Sequence, residues 1–324
     1  MKARRIVFTA PFDGKADDVL KSLDVSSGIR TELRKRIGLV AKINGQEEIP
    51  VTLVDVLKKD EEFCIYLEDR EIPRVPVCDR EIPIVYEDED LAVVDKPASL
   101  AVIPVKGHYG RSLANCLAKR WGDFVYRPVN RLDRDTSGLM VVAKNSLAHS
   151  RLSGKTHRRY LALCQGVFSG KREGIIDAPL DRAEDGMKRY VCQVGKGAEA
   201  VTRYKFLKQY DGYFSAEFVP VTGRTHQIRV HISSLGYPLM CDRLYNPCCK
   251  SITLDDGKLL DRQALHSYYL EFTHPVSGER LCFSSAPDFI SQEEFEDVLK
   301  NTVKDWQNTA SGIDISKGIF YRNF

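Results

Sequence analysis

Apolar residues recur every four positions at Ile29, Leu33 and Ile37, which predicts a helix with one buried face that stops at Gly38. Arg30 and Arg34 share another face of it, and Lys35 and Arg36 add charge at its end, where cations complement the helix dipole. Val40 to Ile43 then reads as a strand, Asn44-Gly45 as a tight turn, and Phe63 to Leu67 as a further strand. Residues 1–68 are therefore expected to form one small α/β unit. The segment 69–81 that follows carries Asp-Arg-Glu-Ile-Pro at 69–73, repeated at 79–83, with Pro76 between. Charged, proline-punctuated sequence of this kind is a semi-extended linker.

Beyond the linker the period shortens. Ile82, Ile84 and Tyr86 alternate, and Leu91 to Val94, Leu139 to Ala143, Tyr160 to Leu163, Tyr204 to Leu207 and Phe214 to Phe218 read as strands. Leu113, Leu117 and Trp121 mark one helix, and Ile228, Ile232 and Leu235 another that ends at Gly236. Strands outnumber helices without alternating regularly with them. This predicts the α+β class, with a mixed, mainly antiparallel central sheet and flanking helices over residues 82–300, rather than a doubly wound sheet. Residues 301–324 have weak periodicity and are left as an unassigned tail.

Composition narrows the function classes. The 324 residues are 43% hydrophobic and 29% charged, an ordinary soluble content, with no apolar run long enough to span a membrane. The N-terminus is basic but lacks the apolar segment of a secretory signal. Nine cysteines without Cys-x-x-Cys spacing argue against zinc and redox motifs and fit reduced thiols in a cytoplasmic protein. A net charge of +3 does not by itself announce a nucleic-acid binder; the distribution of charge matters more.

The richest stretch chemically is Asn130-Arg131-Leu132-Asp133-Arg134-Asp135-Thr136-Ser137-Gly138. It sets a carboxylate, Asp133, between two guanidinium groups just ahead of a buried strand. Neighbouring positive charge favours the ionised carboxylate, the form that attacks as a nucleophile. A surface ion-pair loop is the other reading of the same residues. Asp135 would be the second carboxylate that a glycosidase-like hydrolase requires, but it neutralises Arg134 or caps the turn more naturally. Thr136, Ser137 and Gly138 shape that turn, with Gly138 permitting an unusual backbone angle. His226 and His231 invite a Ser-His-Asp reading with Ser137, but no oxyanion-hole or nucleophile-elbow context accompanies them.

Three further segments accompany this loop: Asp95-Lys96-Pro97-Ala98-Ser99-Leu100-Ala101-Val102; Arg158-Arg159-Tyr160-Leu161-Ala162; and Thr222-Gly223-Arg224-Thr225-His226-Gln227-Ile228-Arg229-Val230-His231, continuing to Asp242-Arg243-Leu244-Tyr245. In this order they resemble the motifs of the RluA-type pseudouridine synthases, which isomerise uridine in ribosomal or transfer RNA, and Arg262 to His266 and His274-Pro275 look like that family's C-terminal segment. Residues 1–68 are similar to the small RNA-binding domain named after ribosomal protein S-four. The resemblance implies the pseudouridine synthase fold, structured RNA as partner, a monomer, and no metal or organic cofactor.

It makes Asp133 the nucleophile, paired with Arg224, and sets Tyr160 against the target base as a possible proton carrier. Arg131 would fill the gap left by the flipped uridine, with Asn130, Thr136, Ser137 and Gly138 lining the substrate. Arg30, Arg34, Lys35 and Arg36 would dock RNA. A non-catalytic RNA-binding factor of the same fold is the competing reading. The chain departs from the family pattern at Asn130 and Ile103, where histidine is usual, and at Ser99, where glycine is usual.

Overall fold

The computed structural model describes residues 4–35, 39–67, 76–104, 110–122, 124–254, 256–309 and 319–321, with side chains through residue 302. The first part holds β1 (Arg4–Thr9), β2 (Gly14–Lys15), α1 (Ala16–Ser22), α2 (Ser27–Lys35), β3 (Val40–Asn44), β4 (Glu47–Val51), β5 (Val56–Leu57) and β6 (Glu62–Leu67). Its four-stranded sheet runs β1-β6-β3-β4. The apolar face read from the sequence is real, since Ile29 and Leu33 bury on Ile6, Val19, Leu20 and Phe63. Ile37, Gly38 and Arg36 lie outside the described residues. The hairpin turn falls one residue later than expected: Asn44 pairs with Glu47, leaving Gly45 at φ +63° as the first central residue.

The second part follows with β7 (Ile84–Glu87), β8 (Leu91–Lys96), α3 (Leu113–Trp121), β9 (Arg127–Pro128), β10 (Ser137–Ala143), α4 (Ser146–Leu152) and β11 (His157–Gln165). Next come β12 (Glu173–Asp177), β13 (Leu180–Arg182), β14 (Arg189–Val191), β15 (Val201–Gln209), β16 (Tyr213–Pro220) and α5 (Gln227–Ser234). The chain closes with β17 (Ile252–Thr253), β18 (Leu259–Leu260), β19 (Leu265–Thr273), β20 (Arg280–Ser284), α6 (Gln292–Thr309) and β21 (Ile319–Tyr321). An eleven-stranded sheet runs β12-β15-β16-β11-β19-β10-β8-β7, with β20, β21 and β9 attached. Its ladders are antiparallel except β10 with β19 and β20 with β21, so the sheet is mixed and mainly antiparallel, as the strand pattern predicts. No helix among the described residues is long and apolar enough to cross a membrane.

β10 is buried along its whole length because the sheet is covered on both sides at this point. Met140 and Val142 join the cluster of Leu113, Leu117, Phe214 and Phe218, whereas Leu139 and Val141 join that of Leu270, Phe272 and Phe283. α6 spans the boundary expected at residue 300: Phe295, Val298 and Leu299 pack on Leu161, Tyr268 and Tyr269, and past it the Thr302 hydroxyl bonds the Tyr268 hydroxyl at 2.7 Å.

The two parts are tied together. α4 is capped by Asn145, whose Oδ1 accepts from the Ala148 amide, and it inserts Leu147 into the N-terminal core. Arg4 of β1 forks onto Asp90 at 3.0 and 3.1 Å, and Asn145 donates to the same carboxylate at 2.8 Å. Arg151 lies over the Phe8 ring and donates to the Leu23 and Pro275 carbonyls. Asp88, Asp90 and His274 converge closely enough to hold a cation, but Asp90 is committed to Arg4 and His274 Nε2 donates to Asp88 at 2.9 Å. His274 Nδ1 accepts the Ser277 amide, which fixes that tautomer.

Candidate active site

The loop bearing Asp133 enters β10 through three buried residues that bond inward. Asn130 Oδ1 accepts the Val141 amide at 2.9 Å, the place a neighbouring strand carbonyl would otherwise fill. Thr136 Oγ1 accepts from Gln263 Nε2 at 2.7 Å. His266 Nε2 donates to the Ser285 carbonyl, so its Nδ1 accepts, and Ser137 Oγ donates there at 2.8 Å. Complete burial holds His266 neutral, with a pKa near 3. All three side chains fasten the loop, the turn-shaping role that the sequence suggests for Thr136 and Ser137, because polar groups of a turn entering a fully buried strand find their partners within the fold.

Gly138 has φ +109°, and a Cβ there would lie 2.4 Å from the Ser267 carbonyl oxygen. The parallel β10–β19 register pairs these two residues, so the strands meet backbone to backbone. Gly138→Ala is expected to cost about 3 kcal/mol of stability, read from the shift of the denaturant midpoint.

Lys96, fully buried, was not singled out in the sequence. Its Nζ donates to the carbonyls of Pro97, Leu100 and Arg134 at 2.8, 3.0 and 3.0 Å, pinning the Asp133 loop to the end of β8. Burial pulls its pKa down to about 7, with Asp135 and Asp133 opposing the shift.

Arg134 and Asp135 pair with each other at 2.9 Å, as their adjacency suggests. Burial works against the Asp135 charge, but Arg134 more than offsets it and the carboxyl stays below its ordinary range. Arg131 is exposed beside Asp133, which is itself partly open to solvent.

The expected Arg224–Asp133 pair does not form. Arg229 takes that place, donating from Nη1 to Asp133 Oδ2 at 2.9 Å. The reason lies in Gln227. Its Oε1 accepts from the Arg224 amide and the Thr222 hydroxyl, while its Nε2 donates to Val201 O and Thr202 Oγ1. The turn is thereby held so that Arg224 is exposed and donates to the Glu199 carbonyl at 2.9 Å. α5 begins at Gln227, which puts Arg229 in its first turn facing inward.

Asp242, completely buried, anchors Arg229: its oxygens accept from Nε and Nη2 at 2.7 and 2.8 Å and from the Leu244 and Tyr245 amides. The Arg229 guanidinium also lies 5.1 Å from the Tyr245 ring centre. Burial disfavours its charge, but the bonds to Asp242 and Asp133 outweigh that and raise its pKa.

Tyr160 follows a bulge in β11 and is buried with Leu132 and Ile228, the apolar neighbours of the active loop and of α5. The serine triad is not assembled: Ser137 bonds His266, and His231 bonds Thr202 and the Ala178 carbonyl. His226 does approach the carboxylate, with Nε2 3.8 Å from Asp133 Oδ2.

A buried Asp242–Arg229 pair presenting a partly exposed Asp133 is a site built to hold one carboxylate in a fixed orientation. The profile described as RNA pseudouridylate synthase matches residues 90–234, which contain both Asp133 and Arg229. A Pseudomonas aeruginosa protein named ribosomal large subunit pseudouridine synthase D is 40% identical over 223 residues, 64% of this chain and 68% of its own length. The chain belongs to the RNA pseudouridylate synthase family. It is an isomerase. A Bacillus subtilis protein named as an uncharacterized RNA pseudouridine synthase is 35% identical over 272 residues, covering 81% of this chain and 91% of that relative. The human RNA pseudouridylate synthase domain containing 1 shares the fold, with a TM-score of 0.53 at 23% identity over 70% of this chain and 98% of its own.

Arg229 and Asp242 lay inside motifs already quoted from the sequence, but no spacing argument distinguished Arg229 from Arg224. Lys96 carries a weaker signal, a lysine at the end of an otherwise apolar strand.

Proposed function

We propose that this enzyme converts uridine to pseudouridine in structured ribosomal RNA, with Asp133 as the nucleophile acting on a flipped-out uridine. The observation that carries the reading is Asp133 itself, held by Arg229 at 2.9 Å on the exposed rim of a site otherwise closed by buried bonds. In the isomerisation the N1–C1′ bond breaks and a C5–C1′ bond forms, while C5 gives up a proton and N1 gains one. Taking the base out of its stack costs a few kcal/mol, and the planar, exposed guanidinium of Arg131 can stack in its place. Tyr160 packs at the base from the apolar side. Ribosomal rather than transfer RNA is favoured by the printed activity of the Pseudomonas relative. Mapping pseudouridine in ribosomal and transfer RNA from cells with and without the gene is the test; an unchanged map in both sinks the reading.

The N-terminal unit serves, on this proposal, as an S-four-like RNA-docking domain. Its basic helix is less free than its sequence suggests. Asp17 in the first turn of α1 takes Arg30 at 2.9 Å and Arg34 at 3.0 Å, and Lys35 pairs with Glu32 at 3.4 Å. Arg30 is nearly covered, whereas Arg34 and Lys35 stay more than half exposed. Replacing Arg34 and Lys35 together by glutamine should therefore weaken RNA binding and lower the salt slope by about 1 per lost phosphate contact, with KM rising and kcat nearly unchanged. Replacing Arg30 should act mainly on stability.

A further inference from the structure

We propose that His226 is a positioning residue that, held as the Nε2–H tautomer by Tyr245, selects Oδ1 of Asp133 as the reacting oxygen. The inference rests on the nucleophile reading above and goes one step further, to a single atom.

Hydrogen-bond accounting fixes the tautomer. The Tyr245 hydroxyl oxygen accepts the Arg189 amide at 2.9 Å, and its own proton is free to reach a further acceptor. His226 Nδ1 lies 3.0 Å from that hydroxyl. Nε2 faces a carboxylate, which can only accept, so a neutral ring is best served by a proton on Nε2 and by Nδ1 accepting from the phenol. Burial lowers the His226 pKa, with Asp133 opposing and Arg229 reinforcing the shift, so the neutral ring prevails at neutral pH.

The Nε2–H faces Asp133 Oδ2 at 3.8 Å, the oxygen that Arg229 Nη1 already binds at 2.9 Å. One hydrogen bond and one nearby N–H thus face Oδ2. Oδ1 accepts no hydrogen bond among the described residues, and the carboxylate side chain is 25% exposed. Rotating the carboxylate to exchange its oxygens would break the Arg229 bond and turn the bonded oxygen away from His226. The 3.8 Å separation exceeds a hydrogen bond by roughly 0.6 Å, a gap of the kind that closes when substrate fills a site.

The backbone is committed to the same end. His226 precedes α5 with φ +57°, a left-handed conformation uncommon for a residue other than glycine. Residues held this way concentrate at sites where a side chain must be aimed. Its ring also meets the Tyr245 ring edge-on, with centres 5.7 Å apart.

The test uses the full chain and unmodified large-subunit ribosomal RNA transcribed with tritium at uridine C5, reading release of tritium to water. Glutamine can present an amide N–H near the position of Nε2, whereas phenylalanine cannot. His226→Phe should lose 30-fold or more in kcat with KM within twofold, and His226→Gln should lose at least tenfold less. Tyr245→Phe, which keeps the ring under Arg229 but frees Nδ1, should lower kcat about threefold to tenfold at unchanged KM. Far-ultraviolet dichroism and RNA binding establish that each variant is folded; should His226→Phe fail to fold, Tyr245→Phe decides alone. A kcat within threefold of the parent in His226→Phe, equal losses in the phenylalanine and glutamine variants, or an unchanged kcat in Tyr245→Phe overturns the proposal. Asp133→Asn, run alongside, separates the two levels: if it is inactive while His226→Phe is fully active, only this inference falls, and if it is active the nucleophile reading itself falls.

Discussion

Asp133→Asn is expected to fold, bind RNA with nearly unchanged affinity, and lose isomerisation by on the order of 10⁴-fold or more, the scale seen when a covalent catalyst loses a reacting group or its partner. The amide matches the carboxylate in shape and can still accept from Arg229, which keeps its two bonds to Asp242. The stability loss should therefore be only about 1 kcal/mol, the net worth of an ordinary hydrogen bond. RNA affinity comes chiefly from backbone phosphates spread over a wide surface, so one carboxylate contributes little to it. Tritium release from uridine C5 measures the chemistry and filter binding measures affinity. A variant that retains activity would remove Asp133 from the mechanism.

The second large effect is expected at Arg229. Arg229→Met leaves Asp242, with no side-chain exposure, as a buried charge stripped of both guanidinium bonds. Breaking a buried pair from one side costs about 3–5 kcal/mol, more than surface charge changes ever cost. The same substitution removes the donor that holds Asp133 Oδ2, so activity should fall even under conditions where the variant is folded. Adding Asp242→Leu should restore part of the stability by removing the orphaned charge, while activity stays lost; denaturant titration and turnover together trace that cycle. Arg224→Ala, by contrast, gives up one bond to the Glu199 carbonyl from an exposed side chain and should cost about 1 kcal/mol or less. If Arg224→Ala were the inactive variant and Arg229→Met the silent one, the geometry described for the site would be wrong.

The difference between those two arginines shows where sequence stopped being informative. β10 could be read because burial on both faces produces an unbroken apolar run, and the inner face of α2 because Ile29 and Leu33 repeat at the helical period. Both are local consequences of burial. Which arginine meets Asp133 depends instead on where α5 starts, and that is set by Gln227 reaching across to Val201 and Thr202 on β15. No window around Arg224 contains that information. Asp242 was quoted only as part of a motif, because its role depends on meeting Arg229 in space. α4 escaped notice because its buried face is only Leu147, Ala148 and Leu152, too few to establish a period. Asn130, at odds with the family pattern, finds its explanation in one long-range bond to Val141.

The junction through Arg4, Leu147 and Arg151 has a consequence for target choice. A docking unit on a slack tether would let the catalytic loop sample uridines at many distances from the docked segment. Here β1 is bolted to the β7–β8 turn and α4 is sunk into the N-terminal core, so the N-terminal unit and the catalytic loop keep a set span. With the docking role proposed for the N-terminal unit, the enzyme would work as a calliper: an RNA would qualify when its folded shape presents an anchoring element and a loose uridine at the matching separation. Lengthening the RNA helix between those two points by a few base pairs should abolish modification while leaving the sequence around the uridine untouched, and shortening it back should restore the mark.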